Sequence, residues 1–86
     1  MHYVYVLLSL LDEKFYIGRT DDLRRRKQEH DEGKVTSTKH RRPLKLVFYE
    51  AFGNKKDATR RELYFKTSKG RSTLKMMLRY SLNVNL

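Results

Sequence analysis

The first twenty residues are patterned as two extended segments. "YVYVLLS" (3–9) is dense in β-branched and aromatic residues and does not alternate with polar ones, which predicts a strand buried on both faces. "LDEK" supplies a turn, and "KFYIG" (14–18) predicts the returning strand of a hairpin. Residues 21 to 31 predict a helix: Asp21 or Asp22 can cap its first turn, Leu23 opens its apolar face, and Gly33 is a stop signal. "KVTSTKHRRP" (34–43) is a basic, hydroxyl-rich loop, and "LKLVFYEAF" (44–52) alternates as a third strand. A second helix is expected over 54–69, ending near Gly70, and a third over 71–82 with Leu74, Met77 and Leu78 on one face. The order β-β-α-β-α-α predicts an α+β fold, a small antiparallel sheet of three strands flanked by helices. No repeat, linker or low-complexity tract divides the chain, so one domain over 1–86 is expected.

Some polar residues fall where this pattern calls for apolar ones. The positions sharing the Leu23 face are Arg26, Lys27 and His30. In the first strand Tyr3, Tyr5 and Leu7 share one face and Val4, Val6 and Leu8 the other, and the second strand adds Tyr16. In the second helix Glu62 interrupts the face of Ala58 and Phe65, with Leu63 placed to widen it. The plain explanations are tyrosines with hydroxyls at a wet edge and a Glu62 ion pair to Arg60, Arg61 or Lys66. The chemical explanation takes Tyr5, Tyr16, Arg26, His30 and Glu62 as a set. A phenol and an imidazole shuttle protons, an arginine holds a phosphate, and a lone carboxylate holds Mg²⁺ with water completing its shell.

Composition narrows the partner. Twenty Lys+Arg stand against ten Asp+Glu, a formal net charge of +10 over 86 residues, which points to a polyanion and first of all to nucleic acid. Cysteine is absent, which excludes disulfides and thiolate metal sites. The apolar run at 3–8 is too short to span a bilayer and lacks a basic start and a cleavage site, so a cytoplasmic protein is expected. "RRRK" (24–27) and "KHRR" (39–42) are basic runs, and Lys66, Lys69, Arg71, Lys75 and Arg79 form a third cluster. Arg24, Arg25, Lys39, Arg41 and Arg42 are the candidate phosphate contacts, and no element is patterned to read base edges.

"YVY" (3–5), "YIG" (16–18), Arg26 and His30 in the next helix, and "RE" (61–62) in the one after resemble the GIY-YIG nuclease domain over essentially the whole chain. Tyr5 and Tyr16 are eleven residues apart, Arg26 is ten beyond Tyr16, and His30 four further. "YVYVL", "YIGRT", "LRRR…H…G" and "RRPLKLV" resemble the small stand-alone bacterial group. Tyr3 and Val4 stand where the motif has Gly and Ile, and Asn83 and Asn85 match no motif of the family's late asparagine.

The resemblance implies a three-stranded antiparallel sheet and metal-dependent cleavage of nucleic-acid phosphodiesters, DNA first, with a single Mg²⁺ or Mn²⁺. Glu62 would be the sole protein ligand to the metal, and Arg26 would bind the scissile phosphate. Tyr16 would sit at the attacking water as its base or its orienter, and Tyr5 would be hydrogen-bonded beside it. His30 would assist the proton chemistry, and Arg19 would take the place of a substrate-side lysine. Whether Tyr16 or His30 is the general base stays open at this level. The alternatives are a nucleic-acid-binding module of the same fold with little or no catalysis, and a small interaction domain whose polar groups pair with each other. A protein partner could supply specificity.

Overall fold

The central strand is the most apolar segment of the chain. β1 (His2–Ser9) is flanked by β2 (Phe15–Thr20) and β3 (Leu44–Phe52), giving the order β2-β1-β3 with both pairings antiparallel. Its central place explains the missing alternation: Val4, Val6 and Leu7 are fully buried, and Tyr5 nearly so. The structure is a computed structural model and describes residues 1–82. Asn83 and Asn85 lie outside the described residues.

Helices cover both faces of the sheet. On one side α1 (Leu23–Asp31) brings Leu23, alongside Tyr16 and Leu46, against the buried cluster of Tyr5, Leu7 and Leu44. On the other, α2 (Lys55–Phe65) and α3 (Ser68–Met77) bury Ala58, Phe65 and Leu74 against Val4, Val6 and Ile17. β3 serves both faces because its register against β1 shifts by one residue between Val6 and Leu7. The extra residue is Val47, so Val47 and Phe48 both join the α2–α3 core, while Leu46 and Tyr49 belong to the α1 side. Simple alternation along "LKLVFYEAF" misplaces half of this strand.

Local chemistry sets the helix ends. Asp22 caps α1 by accepting from the Arg25 amide at 3.0 Å. At its other end Gly33 has φ 75°, its amide bonds the His30 carbonyl at 3.1 Å, and the Lys34 amide bonds Glu29 at 2.9 Å, a Schellman closure that needs the left-handed residue. The second break differs from expectation. α2 stops at Phe65, Thr67 caps α3 through the Gly70 amide at 3.0 Å, and Gly70 lies inside the first turn of α3. Gly70 is there for contact rather than for stopping a helix, since a Cβ would strike the Tyr64 carbonyl and the Phe65 backbone. Leu63 and Met77, expected on inward faces, are exposed. Among the described residues no helix is long and apolar enough to cross a membrane.

Because the atoms opposite Gly70 are backbone and cannot swing away, Gly70→Ala is expected to destabilise the protein by about 2 kcal/mol or more. Chemical denaturation measures this directly, with Ser68→Ala as the exposed comparison in the same turn.

Candidate active site

The buried centre of the α1 side is polar. Tyr5 projects from β1 across Gly18 of β2, close enough that a Cβ on Gly18 would lie 2.5 Å from the Tyr5 Cζ and clash with the hydroxyl. A glycine in "YIG" is therefore what lets the phenol cross the edge strand. The Tyr5 hydroxyl meets His30 Nε2 at 2.9 Å, and His30 Nδ1 meets Thr38 Oγ1 at 2.7 Å. His30 and Thr38 are fully buried, so these three side chains form a closed chain from the sheet, through α1, to the loop before β3.

Burial fixes the charge state of this chain. The Tyr5 hydroxyl is pushed up to about 12, chiefly by desolvation; the Arg26 guanidinium beside it pulls the other way, while Tyr16 and Glu62 add to the rise. His30 is held down at about 4 by desolvation first and then by the Arg26 charge. At neutral pH the phenol keeps its proton and the imidazole is neutral. If Thr38 donates to Nδ1, the ring proton sits on Nε2 and Tyr5 accepts; if Thr38 accepts, Tyr5 donates.

Around this chain stand the accessible groups. Tyr16 is half-buried, its ring 5.1 Å from His30 and 6.3 Å from Tyr5, centroid to centroid. Arg26 lies one turn before His30, partly exposed, paired with Glu29 at 3.2 Å. Its closeness to the Tyr5 phenol is among the causes that raise its own proton affinity. Glu62 comes from α2, on the far side of the sheet, yet its charge reaches Tyr5 across edge strand β2. Its carboxylate stands 3.4 Å from Arg19 Nε and 3.1 Å from Lys66 Nζ. The expected Lys66 pair therefore forms, whereas Arg61 turns instead to Glu50 at 2.8 Å. Arg19 Nε is buried and has no hydrogen bond among the described residues. Lys27, the third anomaly on α1, is paired with Asp31 at 2.7 Å.

The expected phosphate contacts divide. Arg41 is spent on the fold: it holds Asp12 at 2.7 Å and donates to the Lys14 and Phe15 carbonyls. Arg42 donates to the Lys39 and Asp31 carbonyls and lies over Gly33. Arg24 and Lys39 are exposed without an ion pair among the described residues, and Arg25 reaches Asp21 at 3.4 Å. Thr38 is the buried polar partner that the sequence reading missed. Its signal was indirect: a histidine on an inward face needs two partners, and "TST" supplies hydroxyls in the next loop.

The GIY-YIG catalytic domain matches residues 1–75. The chain belongs to the GIY-YIG family. Its relatives include the UPF0213 protein YazA of Bacillus subtilis, 42% identical over 66 residues covering 76% of this chain and 66% of that protein. A UPF0213 protein of Limosilactobacillus reuteri is 37% identical over 86 residues, covering 96% of this chain and 88% of the relative. The solution NMR structure of UPF0213 protein BH0048 from Bacillus halodurans is similar with TM-score 0.59 and 33% identity, over 99% of this chain and 95% of that one. Among the described residues of this GIY-YIG domain, no three His, Asp or Glu side chains converge as a metal cage. Glu62 is a single, largely buried carboxylate, so a divalent ion held there would have to displace Arg19 and Lys66 and draw its other ligands from water and substrate phosphate.

His30 gives a pH signature. The unfolded chain binds its proton near 6.5 and the folded one only near 4, so protons favour the unfolded state in that window and stability falls as pH drops through it. Ring resonances of His30 should stay those of a neutral imidazole down to about pH 5. A His30 midpoint near 6.5 in the folded protein would contradict the buried geometry.

Proposed function

We propose that this domain is a divalent-metal-dependent endonuclease acting on nucleic-acid phosphodiesters, DNA first. The observation that carries the reading is the grouping of Tyr5, Tyr16 and Arg26 around a sealed imidazole, with the Glu62 carboxylate held at Arg19 of β2.

The roles follow from exposure and charge. Arg26 keeps its charge and is partly exposed, so it exchanges Glu29 for the scissile phosphate and stabilises the charge that develops there. Tyr16 is the phenol that water can reach, and it positions the attacking water. Tyr5 holds its proton and orients its neighbours by hydrogen bonding. His30 has both nitrogens engaged and no exposed surface, so it acts through Tyr5 and does not meet the water itself. That favours Tyr16 over His30 as the group at the nucleophile. Glu62 would hold the metal, which when bound supplies Lewis-acid charge at the phosphate. A substrate phosphate gives Arg19 a new partner in place of Glu62.

Purified protein with Mg²⁺ or Mn²⁺ is expected to cut at least one member of a panel of duplex, single-stranded, flap and branched DNA. Glu62→Gln and Arg26→Ala should each lower that rate by about 100-fold or more. No cleavage of any DNA, or of RNA, would remove the catalytic reading; salt-sensitive binding without turnover would leave a binding module.

A further inference from the structure

Two shallow depressions adjoin on the surface beside the candidate site. One, of about 450 Å³, contains Arg19, Arg25 and Arg26 and reaches His2 and Lys55. The other, of about 690 Å³, begins at those same two residues and continues over the start of α2 to Lys56 and Arg60. His2 and Lys55 line both, so they make one groove that leaves the site past the start of β1 and along α2.

Its charge is uneven in a useful way. The carboxylates in it, Asp21 and Glu29, lie at the site end and are already paired with Arg25 and Arg26. The far end carries Lys55, Lys56 and Arg60, exposed side chains with no ion pair among the described residues, and no carboxylate lines it. Leu63 lies exposed in its wall, an apolar surface beside the bases. By contrast, the loop at 34–43, whose basic run suggested a phosphate surface, has tied up Arg41 and Arg42 in holding its own shape.

We infer that the groove through Lys55, Lys56 and Arg60 is the track for the nucleic-acid backbone on one side of the candidate active site. The inference rests on the nuclease reading for its ligand. Three elements contribute the cations: β2 through Arg19, α1 through Arg25, and α2 through the three far bases. Cations on such a track bind phosphates without reading sequence and release counterions as they do so. The exposed Leu63 one turn beyond Arg60 offers contact to sugars or unstacked bases.

The test is fluorescence anisotropy with labelled single-stranded and duplex oligonucleotides, without divalent metal so that nothing is cut, over a series of salt concentrations. Replacing Lys55, Lys56 and Arg60 together by Gln should reduce the slope of log affinity against log salt by about 2 to 3. Replacing Lys69, Arg71 and Lys75 of α3 by Gln, an equal loss of charge away from the groove, should change it by less than about 1. Circular dichroism on both triple variants checks that α2 and α3 remain folded. If wild type binds and the α2 variant keeps its slope, the track is overturned and the nuclease reading survives. If wild type binds neither oligonucleotide at low salt, both fall.

Discussion

A phenol and an imidazole buried together have no water to turn to, so each must be satisfied by the other or by its immediate neighbours. The 2.9 Å bond between Tyr5 and His30 is that constraint here. Tyr5 belongs to the central strand, His30 to α1, and Thr38, which holds the far nitrogen, to the loop before β3. Three separate parts of the chain are thereby fixed at one point. Gly18 suits this point because a Cβ there would clash with the Tyr5 hydroxyl and ring. Arg26, one helical turn from His30, is aimed at the same point by the same helix.

The constraint also assigns labour. Groups inside the chain cannot reach a substrate, and their protons are locked by burial: Tyr5 holds its proton to about 12 and His30 refuses one down to about 4. The accessible groups, Tyr16 and Arg26, stand over this rigid floor, and Glu62 arrives from the opposite helix layer with its charge held by Arg19 and Lys66. On the proposed nuclease reading such a site needs little movement to accept a phosphate, since Arg26 and Arg19 would trade carboxylates for the substrate.

Much of this was legible in the residues, and the failures have physical causes. The continuous apolar run gave away the central strand, and Asp22 and Gly33 bounded α1, since caps and left-handed closures are local chemistry. Arg26, His30 and Glu62 stood out because each breaks a face. What could not be read was tertiary. The Val47 bulge changes which side half of β3 serves, and nothing in "LKLVFYEAF" announces it. Gly70 reads as a stop until the Tyr64 carbonyl is seen against it. Arg41 and Arg42 read as free bases because their acceptors, Asp12 and backbone carbonyls, lie elsewhere in the chain or have no sequence signal. Thr38 hid in a run of hydroxyls, its partner eight residues back.

Tyr5 and Thr38 do not bond each other; they are joined through His30. A double-mutant cycle of Tyr5→Phe and Thr38→Val, read by chemical denaturation, tests whether that chain is a single unit. Removing either hydroxyl leaves one imidazole nitrogen unsatisfied, so the two losses should be coupled by about 1 kcal/mol. Additivity within about 0.3 kcal/mol would contradict a continuous buried chain beneath the site.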